Sequence, residues 1–212
     1  MIENKLHIQI LPENQRKIFD HLIKNEWLKD FYLAGGTALA LYIGHRQSVD
    51  FDFFTEKDFD TKKIILLLKE LGEFELSHEE KNTLVGYINE VSISFFTYKY
   101  DLIDKPTRYN SLIIAGKSDI ALMKLEAISG RGNKKDFIDL YFLLREYSFD
   151  ELFKNYKVKY GRSLSNQYHL LKSLVYFADA EDQAMPRMIE KVKWETVKKE
   201  ITGRVKSLRL FE

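Results

Sequence analysis

Apolar residues recur along this chain with two different periods, and the change from one to the other divides it. Between Glu13 and Lys29, Ile18, Phe19, Leu22, Ile23 and Trp27 share one face of a 3.6-residue repeat, which predicts an amphipathic helix opening after Pro12. Phe31 to Ala34 then reads as a short strand, broken by Gly35-Gly36, and Thr37 to Tyr42 as a second helix. From Ser48 to Phe54 the period falls to two: Val49, Phe51 and Phe53 alternate with Asp50 and Asp52, as in a half-buried strand. Thr61 to Leu71 is helical, and Asn82 to Asn89 and Glu90 to Tyr98 are strand-like. Beyond Gly116 the helical period takes over, at 119–129, 134–147, 164–177 and 188–206, with Met185-Pro186-Arg187-Met188 as the lead into the last. The expected class is α+β, with an α/β domain over residues 1–116 and a helical domain over 117–212.

Composition narrows the partners. Of the 212 residues 45% are apolar and 14% aromatic, enough to fill a real core. The 33 basic and 32 acidic side chains leave a net charge of +1, so a uniformly polyanion-seeking surface is excluded and any such contact must be local. With no cysteine there is no disulfide, no thiolate zinc site and no cysteine nucleophile. No apolar run nears the roughly 20 residues that span a bilayer, and the first residues lack the apolar core of a signal peptide, so the expected location is the cytoplasm, with no membrane partner. His7, His21, His78 and His169 have no metal spacing, and no serine sits in a nucleophile elbow.

Four features carry candidate chemistry. Asp50 and Asp52, two apart in a strand, project from one face, where two like charges repel unless a cation such as magnesium takes them as oxygen ligands; a chance pair at a wet strand edge is the alternative. Just upstream, strand FYLA, Gly35-Gly36 and a helix beginning at Thr37 form either a phosphate cradle or simply a tight turn; the loop has neither the Gly-Lys-Ser/Thr ending nor the dinucleotide GxGxxG spacing. Arg46, in the turn Gly44-His45-Arg46-Gln47-Ser48, could clamp a phosphate or be solvated, and His45 reads as a surface histidine. Lys124 places a charge in the apolar stripe Ile120, Ala121, Ala127, Ile128, so it either snorkels or meets an anion. Asp136 and Asp139 share a helix face after Gly130-Arg131-Gly132. Asp136 could be a base or a helix cap, Asp139 could pair with Lys135, and Arg131 could reach phosphate or be solvated. The basic excess from Gln183 to Glu212 reads as a solvated helix face more readily than as a nucleic-acid surface.

Taken in order, GGTALALYIGHRQSVDFDFF and IALMKLEAISGRGNKKDFIDLYFLL resemble the AbiEii/AbiGii toxin family of nucleotidyltransferases, within the polymerase-beta-like superfamily. The resemblance spans about Phe31 to Leu144 and extends to HLLKSLVYFADAEDQAMPRMIEKVKWE. It implies a mixed sheet with flanking helices, a C-terminal helical domain contributing Lys and Asp residues to the site, and transfer of a nucleoside monophosphate from an NTP. By position, Gly35, Gly36 and Thr37, with Arg46 and Ser48, fall on the triphosphate loop and Asp50 and Asp52 on the metal pair. Lys124 matches the motif lysine near the phosphates, Arg131 and Asp136 the basic residue and aspartate of the second motif, and Asp139 the trailing aspartate. Magnesium, as a two-ion site, is the implied cofactor. The implied partners are an NTP, an RNA such as tRNA or a protein as acceptor, and a DNA-binding antitoxin encoded nearby.

The chain departs from that pattern where active relatives commonly carry a third carboxylate: Ser94 stands there, and the nearby acids Glu90 and Asp101 are out of phase with the strand. Three classes therefore stay open: a working transferase, a nucleotide-binding module without turnover, and an interaction protein. The expectation common to the first two is that two carboxylates, a glycine bend and a helix-borne amine gather around one polyphosphate.

Overall fold

The computed structural model describes residues 6–161 and 164–208, which form two compact units, 1–116 and 117–212. The first unit is built on a seven-stranded mixed sheet. Helix α1 (Glu13–Leu22) starts at Pro12 and buries Gln15, Ile18, Phe19 and Leu22. It stops well short of Lys29, because the Asn25 side-chain amide donates to the His21 carbonyl at 2.7 Å and a 3-10 turn (Glu26–Asp30) takes over. Strand β1 (Tyr32–Ala34) leads into α2 (Gly35–Ile43), which is apolar nearly all round and correspondingly buried. Then come β2 (Phe51–Thr55), α3 (Thr61–Lys69), whose first amides are capped by Asp60, and β3 (Phe74–Glu80). The meander continues through β4 (Thr83–Ile88) and β5 (Val91–Thr97), and β6 (Thr107–Tyr109) and β7 (Leu112–Ile114) close the unit.

The strand order is β3-β4-β5-β2-β1-β7-β6. β2 runs antiparallel to β1 and parallel to β5, so it lies centrally, with Ala34 and Ser94 facing Asp52 from either side. Alternation then assigns the two faces of β2. Phe51 and Phe53 enter the core, Phe51 with its ring 6.3 Å from Phe19 and Phe53 5.1 Å from Phe95. Asp52 and Phe54 take the other face, where Phe54 meets Phe96 at 5.5 Å.

The sequence pattern did not reveal β3, because its side chains are exposed from Glu75 onward and no alternation of burial marks it. The three-residue strands β6 and β7 are too short to carry a period.

The second unit is helical: α4 (Lys117–Arg131), α5 (Lys134–Leu143), α6 (Phe149–Tyr160), α7 (Leu164–Leu174), a short α8 (Ala178–Glu181) and α9 (Trp194–Lys206). The sequence reading omitted α6, although Ser148 caps it by accepting from the Glu151 amide and Leu152, Phe153, Tyr156 and Tyr160 line its buried side. The last helix begins at Trp194 rather than Met188: Ile189 is half exposed, and burial within α9 starts at Val197. The expected basic surface runs on to Glu212, of which residues 209–212 lie outside the described part. Among the described residues no helix is long and apolar enough to cross a membrane.

Strands β4 and β5 join through a two-residue turn in which Asn89 and Glu90 have φ of 45° and 68°. Both lie in the left-handed region of a type I′ turn, where asparagine is at home and glutamate is not. Glu90→Gly should therefore raise the unfolding free energy by about 1 kcal/mol, read from the urea midpoint at unchanged m-value.

Candidate active site

The site in the first unit is assembled by the β1–α2 turn closing on β2. Gly35 has φ of 71°, and a Cβ there would lie 2.7 Å from Asp52 Oδ2, so the turn approaches the carboxylate too closely for any side chain. A side chain on Gly36 would collide with Arg46 Nη2 and come within 2.9 Å of Ser48 Oγ. The glycine pair thus brings Asp52, Arg46 and Ser48 around the start of α2, where Ala34 offers no side-chain cap and the first amides point along the helix axis beyond its N-terminus. Arg46 is buried rather than solvated, and its Nη1 donates to the Gln47 carbonyl at 3.0 Å. His45, expected at the surface, is buried too, because the turn after α2 folds inward with Arg46.

Thr37 plays a part the sequence did not suggest. It is fully buried, and its hydroxyl donates to the backbone carbonyl of Asp50 while receiving Gln15 Nε2 at 3.4 Å. The hydroxyl is committed to tying α2 and α1 to the head of β2. Gln15 escaped the sequence reading because it lies on the otherwise apolar inner face of α1. Its polarity there is the one signal that could have found it.

Whether magnesium suits these residues can be judged from the donors. Asp50 and Asp52 are half-buried hard oxygen donors two residues apart, and Ser94 is the register partner of Asp52 on β5. Among the described residues no group of three or more His, Asp or Glu is placed to hold a metal. Magnesium is usually held by one or two carboxylates with substrate phosphates and water completing its shell, so the pair fits an ion that arrives with a polyphosphate.

In the second unit, α4 and α5 bring the other predicted residues together. Lys124 Nζ lies 2.8 Å from Asp136 Oδ1 and 2.6 Å from Asp139 Oδ2, with the lysine side chain 6% exposed and both aspartates fully buried. Asp139 thus pairs with Lys124, which meets its anions within its own unit. Arg131 donates from Nε to Asp136 Oδ2 at 3.0 Å and from Nη2 to Oδ1 at 3.4 Å, while keeping 57% of its side chain exposed. Burial alone would push the Asp136 carboxyl up, but Lys124 and Arg131 outweigh it and hold the carboxyl below its ordinary value. Arg131 is the member of this cluster that reaches solvent.

Asp136→Asn strips Lys124 and Arg131 of their common partner. It should cost about 3–5 kcal/mol at pH 7, the scale for breaking a buried pair. Because the folded carboxyl titrates below the unfolded one, its contribution is present above the unfolded value of about 3.9 and is lost as pH falls through the folded value. Acid titration of stability should accordingly be flatter below about pH 4 in the variant than in the parent, as chemical denaturation at several pH values would show.

Comparison with known proteins agrees with this architecture. The protein JHP933 of Helicobacter pylori superposes with a TM-score of 0.58 over 92% of each chain at 17% identity. MenT4, a nucleotidyltransferase toxin of Mycobacterium tuberculosis, does so with a TM-score of 0.55 over 94% of this chain and 87% of its own, at 15% identity. At such identities the likeness concerns the fold. In sequence, protein aq_aa25 of Aquifex aeolicus is 44% identical over 179 residues, covering 82% of this chain and 86% of its own. The family model described as nucleotidyl transferase AbiEii toxin, type IV toxin–antitoxin system, matches residues 17–207, and with the glycine turn set against an aspartate pair on a mixed sheet, the chain belongs to that family.

Proposed function

We propose that the protein is a magnesium-dependent nucleotidyltransferase that moves a nucleoside monophosphate from an NTP to a hydroxyl of an RNA or protein acceptor, as the toxin of a toxin–antitoxin pair whose antitoxin binds DNA. The observation that carries this reading is the close approach of Gly35 to Asp52, which sets the start of α2, with its amide donors, beside oxygen donors for a metal. In the transfer, the acceptor oxygen bonds to the α-phosphorus, the bond from that phosphorus to the bridging oxygen breaks, pyrophosphate leaves, and the hydroxyl proton passes to water. The start of α2 and Arg46 hold the triphosphate; Asp50 and Asp52 hold magnesium, which when bound neutralises charge on the phosphates. Within the second unit, Asp136 aims the Arg131 fork, and Lys124 fixes Asp136 in place.

A second reading, nucleotide binding without turnover, is favoured by Ser94 standing beside Asp52. One experiment separates the two. Purified protein with each α-labelled NTP, magnesium and total cellular RNA or protein should transfer label, and Asp50→Ala and Asp52→Ala should each reduce transfer about a thousand-fold, matching the loss of several kcal/mol of charge stabilisation. Transfer that survives both substitutions would refute the aspartate-pair mechanism, and NTP binding by the parent without transfer would establish the second reading.

A further inference from the structure

The strand that carries the aspartates ends at a second cleft. Thr55 lies three residues beyond Asp52, about 10 Å along β2 at the usual strand rise, and shares the core face with Phe51 and Phe53. There a cleft of about 520 Å³ opens between the 3-10 turn before β1, the end of β2 and the start of α3. That volume is ordinary for a small-molecule site. We propose that this cleft binds a small planar aromatic anion, its ring against Trp27 and Phe59 and its anionic group at Lys29, Lys63 and Thr55. The proposal is independent of the transferase reading and concerns the other end and the other face of β2.

The ligand's charge follows from which groups of the wall are already engaged. Three carboxylates border the cleft, and each has donors of its own. Asp60 Oδ1 caps α3 by accepting the Lys62 and Lys63 amides at 3.0 and 3.3 Å. Asp58 Oδ1 accepts from Asn82 Nδ2 at 2.8 Å, and Asp30 faces the Lys57 ammonium at 3.6 Å. The remaining lysines of the wall, Lys29 and Lys63, are exposed and form no ion pair among the described residues. The Thr55 hydroxyl, on a residue 3% exposed, accepts from the Lys57 amide at 3.3 Å and donates to no described residue. What the cleft has left to offer is donors and positive charge, and a buried O–H without an acceptor gains from one brought by a ligand. A cation would be repelled there, and a neutral ligand would leave both ammoniums unanswered.

The floor selects the ring. Phe31 is buried and packs edge-on against Phe59 and Phe95, with ring centroids 5.4 and 5.1 Å apart. Phe59 and Trp27 are only half-buried, although the Trp27 ring lies 6.0 Å from Phe95. Two anchored aromatic side chains therefore keep surface at the cleft, and another ring gains stacked or edge contacts there that an alkyl chain does not.

The test is fluorine NMR of the full chain labelled with 5-fluorotryptophan, in which Trp27 and Trp194 are the two tryptophans and Trp194→Phe assigns their signals. Titration with 2-naphthoate should move the Trp27 signal, not that of Trp194, with a Kd of about 1 mM or less, the value that ordinary ligand efficiency gives for a molecule of that size. The neutral 2-naphthamide and the alkyl anion hexanoate should each bind at least about five-fold more weakly. Lys29→Gln/Lys63→Gln, which changes two exposed side chains and should leave the urea midpoint where it is, should weaken 2-naphthoate about five-fold, the effect of losing two partly exposed ion pairs. AMP tells the two sources of the anion apart: if it moves the Trp27 signal at lower concentration than 2-naphthoate, the site takes an aryl-linked phosphate such as a nucleotide, and if at higher concentration, a carboxylate. In either case the double variant should weaken the response. A Trp27 signal that none of these compounds moves at millimolar concentration overturns the proposal. Equal affinity for 2-naphthoate and 2-naphthamide, or an affinity unchanged in the double variant, overturns it as well.

Discussion

The antiparallel pairing of β1 with β2, with Ala34 opposite Asp52, is the constraint on which the site in the first unit depends. Three residues of β1 suffice, because the chain turns at once into α2 and the register delivers that turn to the carboxylate. Shifting β2 by one residue would send Asp52 into the core and Phe51 and Phe53 out of it, at a cost no local contact could recover. The phenylalanine ladder through Phe19, Phe51, Phe53 and Phe95 therefore secures the chemistry on the opposite face of the strand. Hydrophobic burial on one side sets the position of the polar groups on the other.

The second unit shows the reverse economy. Its predicted residues sit in a largely buried cluster, where Lys124 answers two aspartates and leaves Arg131 half in water. Such an arrangement contributes little net stability for the charges it buries, yet losing one member leaves the others unpaired. Its physical product is orientation, a guanidinium presented at a fixed angle. The fully buried Lys159–Asp119 pair between α4 and α6, at 2.6 Å, follows the same logic deeper in the unit.

Much of this was legible in the sequence wherever a side chain's type and its spacing spoke together. VDFDFF gave both strand and faces, and the Gly-Gly before an apolar helix gave the turn. Lys124 in an apolar stripe left snorkelling and an anion both open, and the anions proved to be Asp136 and Asp139. What stayed hidden depends on contacts distant in the chain. The commitment of the Thr37 hydroxyl to Asp50 needs α2 folded back on β2, and Gln15 gains meaning only when α1 meets both. β3 could not be read because an exposed edge strand owes its form to its neighbour β4 and leaves no apolar rhythm of its own.

The occupied hydroxyl of Thr37 has a consequence for discrimination. A bend that meets its ligand through main-chain N–H groups senses the charge and outline of a polyphosphate and is blind to the heterocycle attached to it. Under the proposed transferase reading, preference for one nucleotide over another must then be written in side chains away from the bend, and changes within Gly35-Gly36-Thr37 would alter how strongly any triphosphate is held without altering which is chosen.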